Sequence, residues 1–261
     1  MCLLVAAVDV HPDYRLVLAG HRDEFHARPA SALAWWEEAP GILAGRDLEA
    51  GGTWLGADRR GRVSVVTNYR APGSLRPDAP SRGLLVPRFL ASDLPAAEFM
   101  ARLAGEAAAY SGFNLLAWDG ATLAYCGGPD AGTRTLPPGV YGLSNARLDT
   151  PWSKVTRVRD RVSRLLEAGP LHADRLFRIL DDRQVAPDDQ LPETGLDIEL
   201  ERLLSAPLIV SAQYGTRCTT VVLVGRDSTV QVVERRLAPD GSTVGRTRMA
   251  FQAARHGTAG G

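Results

Sequence analysis

The first seventy residues contain short apolar runs separated by turn residues, a pattern typical of β-strands. Residues 3–10 and 15–21 are two such runs, and a His-Pro-Asp turn at residues 11–13 separates them. A connection this short predicts an antiparallel hairpin. Residues 53–57 and 62–68 predict two further strands, joined across a polar turn that contains Gly61.

Helical spacing of apolar positions begins near residue 92. Ser92 is the predicted N-cap of a first helix. A second helix is predicted with Asp149 or Thr150 as its cap and Pro151 at its first position, and Gly169-Pro170 ends it. Two more helices are predicted over residues 173–181 and 196–204.

Strand-like runs return on both sides of these helices. They cover residues 113–118, 123–126, 208–212, 219–224, 230–236 and 243–251. Strands followed by helices and again by strands predict an α+β fold of stacked antiparallel sheets with helices packed outside. We expect a single domain over residues 1–252 and a flexible tail over residues 253–261, which are small and polar.

Composition narrows the classes of function. The chain has 261 residues, of which 45% are apolar, and this is enough for one sizeable core. The 30 basic residues balance 30 acidic ones, which argues against a nucleic-acid or anionic-membrane partner. No apolar stretch approaches the ~20 residues that span a bilayer. Three scattered cysteines predict neither a disulfide framework nor a metal site, and they favour a cytoplasmic location.

Cys2 is the first candidate for chemistry. Removal of Met1 would leave a thiol and a free α-amine on the same residue. An α-amine has a pKa of about 7.7–8.0, so it can act as a base at neutral pH. One residue then supplies both nucleophile and base. The structural alternative is a small apolar residue that begins a core strand.

A second candidate lies at the end of the second predicted strand, in the sequence Gly-His-Arg-Asp-Glu-Phe at residues 20–25. A hairpin would return Arg22 and Asp23 to the Cys2 end, where Arg22 can hold a thiolate and Asp23 can orient the amine. A salt bridge at a strand end is the alternative. His21 and His26 flank this site, and each fits a surface or hydrogen-bonded histidine better than a ligand.

Two asparagines at predicted strand ends have amides suited to stabilising an oxyanion, Asn68 and Asn145. Local turn or cap hydrogen bonding is the alternative for both. The glycine-rich segment at residues 51–56 lacks the lysine of a phosphate-binding loop. We interpret it as a turn into a strand that brings Trp54 near the cleft.

Together these segments resemble the NRDE family, also known as the transport and Golgi organization 2 family. The motifs occur in the order typical of the family: Met-Cys at 1–2, His-Arg-Asp-Glu at 21–24, Gly-Gly-Thr-Trp-Leu-Gly at 51–56, Thr-Asn-Tyr-Arg at 67–70, Ser-Arg-Gly-Leu-Leu-Val at 81–86, residues 145–152, and Tyr-Gly-Thr-Arg-Cys-Thr-Thr-Val-Val at 214–222. The resemblance extends from Cys2 to about Met249. His21 departs from the Asn with which the family motif usually opens.

The resemblance implies a four-layer αββα sandwich of the N-terminal-nucleophile hydrolase type, similar to the choloylglycine hydrolase and penicillin V acylase group. By motif order, the catalytic positions would be Cys2, Arg22, Asp23, Asn68, Asn145 and Arg217. They would act on an amide or acyl bond of a small molecule, as an amidohydrolase or acyltransferase, without a cofactor. The alternative implied by the family is a non-catalytic carrier of haem or an acyl lipid, with His21 or His26 as an iron ligand.

Overall fold

Two antiparallel sheets and five helices account for the regular structure of the residues that this computed structural model describes, 2–70, 73, 76, 78–128 and 130–254. The strands are β1 (Cys2–Val8), β2 (Tyr14–Phe25), β3 (Ala30–Trp35), β4 (Ile42–Asp47), β5 (Leu55–Asp58), β6 (Val63–Asn68), β7 (Phe113–Trp118), β8 (Leu123–Gly127), β9 (Gly132–Leu136), β10 (Gly139–Leu143), β11 (Tyr214–Gly225), β12 (Thr229–Leu237) and β13 (Thr243–Gln252). The helices are α1 (Leu85–Ala91), α2 (Ala96–Glu106), α3 (Ser153–Glu167), α4 (Ala173–Leu180) and α5 (Ile198–Ser205).

The two ends of the chain build one sheet and its middle builds the other. The six-stranded sheet has the order β10-β1-β2-β11-β12-β13, so β1 and β2 join the last three strands. The seven-stranded sheet contains β3 to β9 in chain order. The predicted hairpin of β1 and β2 is confirmed, and the pair places Cys2 opposite Arg22.

Hydrophobic side chains form three layers. Leu4 and Ala6 of β1 face the seven-stranded sheet, while Leu3 and Val5 face helices on the other side. A strand that is covered on both faces has no polar alternation, which explains why β1 is continuously apolar. Helices α3 and α4 cover the six-stranded sheet, and α1 and α2 cover the seven-stranded one. The predicted α+β sandwich with four layers, αββα, is therefore confirmed.

The first two helix starts differ from the predictions. Ser92 is not an N-cap: it is the C-cap of α1, a helix that the sequence pattern did not indicate, and its hydroxyl donates to the carbonyl of Phe89. Helix α2 begins instead after Pro95. Helix α3 begins at Ser153 rather than at Pro151.

Four strands were missed and one was wrongly predicted. β3, β4, β9 and β10 are short, and β9 is exposed over most of its length, so none shows a clear apolar run. Residues 208–212 are not a strand, although Thr216 donates its backbone N–H to the carbonyl of Ile209.

No helix within the described ranges is both long and apolar enough to cross a bilayer. At the C-terminal end, Ala253 and Ala254 donate backbone hydrogen bonds to Ser228 and Arg59. Residues 255–261 of the predicted tail lie outside the described residues.

Candidate active site

A row of alternating thiols and guanidinium groups crosses one end of the six-stranded sheet. Cys2 lies opposite Arg22, Arg22 lies opposite Cys218, and Cys218 lies opposite Arg236, on the neighbouring strands β1, β2, β11 and β12. Directly opposed residues of antiparallel strands project to the same face. Since Cys2 and Cys218 belong to the core between the sheets, the whole row faces the seven-stranded sheet.

A cleft of about 320 Å³ opens above this row. Its walls come from both sheets, from the segment between β2 and β3 and from the turn that precedes α1. Five of the six predicted catalytic residues line it: Cys2, Arg22, Asp23, Asn68 and Arg217. Trp54 also lines it, as the glycine-rich turn predicted. The volume is at the lower end of the range for small-molecule sites.

Cys2 begins β1 and is only 7% exposed. Its carbonyl accepts a hydrogen bond of 2.8 Å from the Ser144 hydroxyl, which fixes the start of the strand. Burial raises the pKa of the Cys2 thiol, and the nearby Asp23 carboxylate raises it further, whereas the positive charge of Arg22 opposes both effects. The thiol is therefore protonated at neutral pH in the resting protein.

Arg22 is held by Asp47 at the end of β4. Its Nη2 lies 2.9 Å from Oδ2 of Asp47, and the same oxygen accepts a 2.6 Å hydrogen bond from Arg28. Burial alone would raise the pKa of Asp47, but the hydrogen bond from Arg28 and the charges of both guanidinium groups lower it. The second terminal nitrogen of Arg22, Nη1, is buried without a hydrogen-bond partner among the described residues.

Asp23 is 2% exposed, and the neighbouring strand anchors it. Its Oδ1 accepts a 2.7 Å hydrogen bond from the Thr216 hydroxyl on β11, and its carbonyl accepts one of 3.0 Å from the Tyr214 hydroxyl. These contacts fix the backbone and the carboxylate of Asp23, which is one of the residues that line the cleft.

The two predicted asparagines have different positions. Asn68 ends β6 and lines the cleft. Asn145 is fully buried behind it, with Nδ2 donating at 2.8 Å to the carbonyl of Asn68 and Oδ1 accepting from the Ser144 hydroxyl. The amide of Asn145 is thus committed to shaping the end of β6, and only Asn68 belongs to the cleft wall.

Both predicted histidine ligands lie outside the cleft lining. His21 projects to the opposite face of β2, where Nε2 lies 2.9 Å from the carbonyl of Leu180 and Nδ1 lies 3.0 Å from the hydroxyl of Thr219. Burial lowers its pKa, so the ring is neutral with a hydrogen on Nε2. Nε2 of His26 lies 3.0 Å from the carbonyl of Ser211.

Arg217 occupies a β-bulge between Thr216 and Cys218. The bulge turns its side chain into the cleft, where Nη1 donates to the carbonyls of Phe25 and Arg28 at 2.7 and 2.9 Å. Burial lowers its pKa, and the positive charge of Arg22 adds to that effect. The guanidinium group ties the end of β2 to the segment that leads into β3.

Comparison with known proteins identifies the family. The family model Transport and Golgi organisation 2 matches residues 1–239. The chain belongs to this family. It is 36% identical over 261 residues to the transport and Golgi organization protein 2 homolog of Bos taurus, covering 91% of this chain and 93% of the relative. The Homo sapiens homolog is 35% identical over 260 residues, with the same shares covered. The predicted family is confirmed.

The fold also resembles that of a solved hydrolase. The C2A mutant of conjugated bile acid hydrolase from Clostridium perfringens matches with a TM-score of 0.50 and 8% identity, over 97% of this chain and 92% of that one. At this identity the likeness concerns the fold alone. It agrees with the predicted sandwich of the N-terminal-nucleophile hydrolase type.

Arg82 lines the cleft, and the sequence analysis did not select it. It begins a single 3₁₀ turn before α1, and its Nη1 donates to the carbonyl of Gly112 at 3.1 Å. Its charge is close enough to Cys2 to interact with the thiol, although burial lowers its pKa overall. The signal was its place in the family motif at residues 81–86, which was noted without a role for this arginine.

Cys218 and Glu234 are two further cleft residues that sequence reasoning missed. Burial raises the pKa of Cys218, and the carboxylate of Glu234 raises it further. Glu234 is also buried, which raises its pKa, and its Oε1 accepts a 2.9 Å hydrogen bond from the backbone N–H of Leu33. Both residues lie within ordinary strand patterns in the sequence. Their place at the cleft follows only from the pairing of β11 with β2 and β12.

Proposed function

We propose that this protein hydrolyses an amide or acyl bond of a small molecule, with Cys2 as the nucleophile. The observation that carries the proposal is the position of Cys2, which lines a cleft at the start of a strand and lies directly opposite Arg22. Asp23 and Asn68 reach the same cleft from two different strands. This combination supplies a thiol, a cation, a carboxylate and an amide donor around one space.

The reaction requires the free α-amine of Cys2, and therefore the removal of Met1. The amine accepts the thiol proton as Sγ attacks the substrate carbonyl, which suits a thiol whose pKa is raised by burial. The Asn68 amide donates to the oxyanion that develops on the carbonyl oxygen. The resulting ammonium then protonates the leaving group. Water hydrolyses the acyl–thioester in the second half of the reaction and regenerates the thiol.

The remaining predicted residues have positioning roles in this proposal. Asp23 orients the ammonium group and is itself fixed by Thr216. Arg22 stabilises the thiolate as it forms. Asn145 holds the end of β6 so that Asn68 keeps its orientation. Arg217 fixes the segment that borders the cleft.

The structural neighbour lends further support. It is a hydrolase, and its C2A substitution means that a cysteine naturally stands at position 2 of that chain. The same position carries Cys2 in the present sequence. The two chains share the fold over nearly their full length, which supports this parallel.

Intact mass and activity test the proposal together. The purified protein should have the mass expected without Met1, and it should hydrolyse at least one member of a panel of p-nitroanilides and thioesters. Cys2→Ala should abolish hydrolysis, by at least about a thousandfold, because it removes the nucleophile. Cys126→Ala, which changes a buried thiol of β8 on the side that packs against α1 and α2, is the matched control and should retain activity. Retention of Met1, or equal activity of Cys2→Ala, would refute the mechanism.

The alternative function is a carrier that holds haem or an acyl lipid without turnover. The positions of His21 and His26 do not favour haem ligation, since ring nitrogens of both lie within hydrogen-bonding distance of protein groups. Haem titration of the wild type, His21→Ala and His26→Ala tests whether the protein binds haem through either histidine. A Soret band shift that either substitution removes, in a protein that hydrolyses nothing on the panel, would favour the carrier.

A further inference from the structure

The cleft carries more positive than negative charge. Six arginines line it, at positions 22, 28, 46, 82, 217 and 236. Four acidic residues share the lining: Asp23, Glu24, Asp47 and Glu234. The formal excess is two positive charges, although the whole chain is neutral. Burial also raises the pKa of Glu234 above its ordinary value.

Protein carboxylates neutralise only half of these arginines. Asp47 pairs with Arg22 and Arg28, and Glu38 pairs with Arg46. Arg82, Arg217 and Arg236 form no ion pair with any carboxylate in the described ranges. Their charges therefore remain available to a ligand.

Burial makes these unpaired charges unfavourable in the empty cleft. It lowers the pKa of both Arg82 and Arg217, which means that the folded protein stabilises their charged forms less than water does. Nη1 of Arg22 is also buried with no hydrogen-bond partner within the described part of the chain. A buried donor without an acceptor is unfavourable. An anion beside Arg82 and Arg217 would relieve the first of these effects.

The row of thiols and guanidinium groups gives the distance of the unpaired arginines from the Cys2 thiol. Neighbouring strands lie about 4.8 Å apart, so the backbone of Arg236 is about 14 Å from that of Cys2, with Arg22 between them. Arg217 lies beside Cys218 on the intermediate strand. Two of the three unpaired arginines, Arg217 and Arg236, thus lie to one side of the thiol, whereas Arg82 lies close to it.

We propose that the substrate carries an anionic group, a carboxylate or a phosphate, and that Arg217 and Arg236 bind it on the β11–β12 side of Cys2. This inference names the substrate class and rests on the proposed function for the bond that is cleaved. Three guanidinium donors remain on Arg217 after its two carbonyl contacts, enough for a bidentate interaction.

A matched pair of anilides tests the proposal. Suberic acid mono-p-nitroanilide and octanoyl p-nitroanilide have acyl chains of equal length, and only the first ends in a carboxylate. We expect kcat/KM to be at least about tenfold higher for the acid. Arg236→Gln, at the exposed rim, should reduce this preference without unfolding the protein. Arg164→Gln, an exposed arginine on α3, is the charge-matched control and should preserve it.

Binding to the inactive variant separates this inference from the proposed function. In calorimetry, Cys2→Ala should bind the suberic anilide more tightly than the octanoyl anilide. Adding Arg236→Gln to this inactive variant should reduce the difference between the two affinities. Inorganic phosphate and acetate as competitors distinguish the two anions, since the preferred one should displace the suberic anilide at lower concentration. Equal binding and equal turnover of both anilides would overturn the anion site and leave the hydrolase standing. Tighter binding of the suberic anilide by Cys2→Ala, with no turnover of either anilide by the wild type, would support the anion site and refute the hydrolase.

Discussion

At the residue scale, Cys2 and Arg22 lie directly opposite each other on β1 and β2. Cys2 and Arg22 could be paired from the sequence because a short turn fixes their hairpin register. Asn145 could not be assigned, because its amide contacts the carbonyl of Asn68, a long-range contact that no local pattern records. His21 likewise points to the opposite face of β2, toward α4. Successive side chains of a strand alternate between its two faces, so this orientation follows only once the faces of β2 have been assigned.

Lys154 is a residue-scale feature that neither the motifs nor the charge count revealed. It is the only lysine in the sequence. Although it stands in the first turn of α3, it is 3% exposed, and its Nζ donates to the carbonyl of Leu204 at 2.8 Å. Burial lowers its pKa to about 8, while the carboxylate of Asp23 opposes the shift.

This burial predicts a specific pH dependence of stability. Between pH 8 and about 10.4, the unfolded chain binds the Lys154 proton and the folded protein does not, so the free energy of unfolding should rise with pH. Chemical denaturation of wild type and Lys154→Met at pH 7 and pH 10 measures it. The difference in free energy of unfolding between the two proteins should change by roughly 2–3 kcal/mol from pH 7 to pH 10. The other groups that titrate in this range are common to both proteins, so their contributions cancel. Arg164→Met should follow the wild type, and a constant difference for Lys154→Met would contradict the predicted pKa.

At the element scale, close backbone contacts explain the glycine-rich motif at residues 51–56. The backbone of Gly52 lies against that of Gly83, so that a Cβ at position 52 would be 2.5 Å from the Gly83 carbonyl. Thr53 donates its backbone N–H to the same carbonyl, and Asp47 donates to the carbonyl of Gly52. Gly52 therefore joins the elements that carry Asp47 and Arg82, two residues of the cleft. The sequence excluded a phosphate loop here, but it could not identify this contact.

A substitution at Gly52 should consequently affect both stability and the site. Gly52→Ala forces two backbone segments apart, for which we expect a loss of about 1–3 kcal/mol in the free energy of unfolding. It should also lower kcat/KM on the preferred substrate, because Arg82 moves with Gly83. Gly105→Ala, in α2 with open space around it, is the matched control and should be neutral or stabilising by up to about 1 kcal/mol. Equal stabilities for the two variants would argue against the contact.

Prediction of whole elements succeeded where burial leaves a long apolar run. Strand β7 agrees with its prediction at both ends, and β1 and β12 agree within one or two residues. The exposed strand β9 and the short strands β3 and β4 lack such runs, since pairing with neighbours rather than burial holds them in place. Within residues 208–212 only Leu208 and Ile209 are buried, and the segment pairs too little to form a strand.

At the scale of the whole molecule, the six-stranded sheet has a stable centre and a weak edge. β2 and β11 lie in its middle and are buried on both faces over most of their lengths. β13 is an edge strand whose residues alternate between exposed and half-buried.

Amide hydrogen exchange should reflect this gradient. Backbone amides of β2 and β11 should exchange slowest, near the limit set by global unfolding, whereas those of β13 should exchange much faster through local opening. The exposed edge strand β9 of the other sheet serves as an internal reference for fast exchange. Protection of β13 equal to that of β11 would show that another surface covers this edge in solution.

The union of β1 and β2 with β11 and β12 also has a consequence for biosynthesis. Cys2 leaves the ribosome at the start of translation, whereas Arg217 and Arg236 follow more than two hundred residues later. The row of thiols and guanidinium groups can form only after nearly the whole chain has been made. Under the proposed mechanism, a nascent chain is therefore inactive. Its Cys2 thiol also remains exposed to oxidants in solution until the last strands dock.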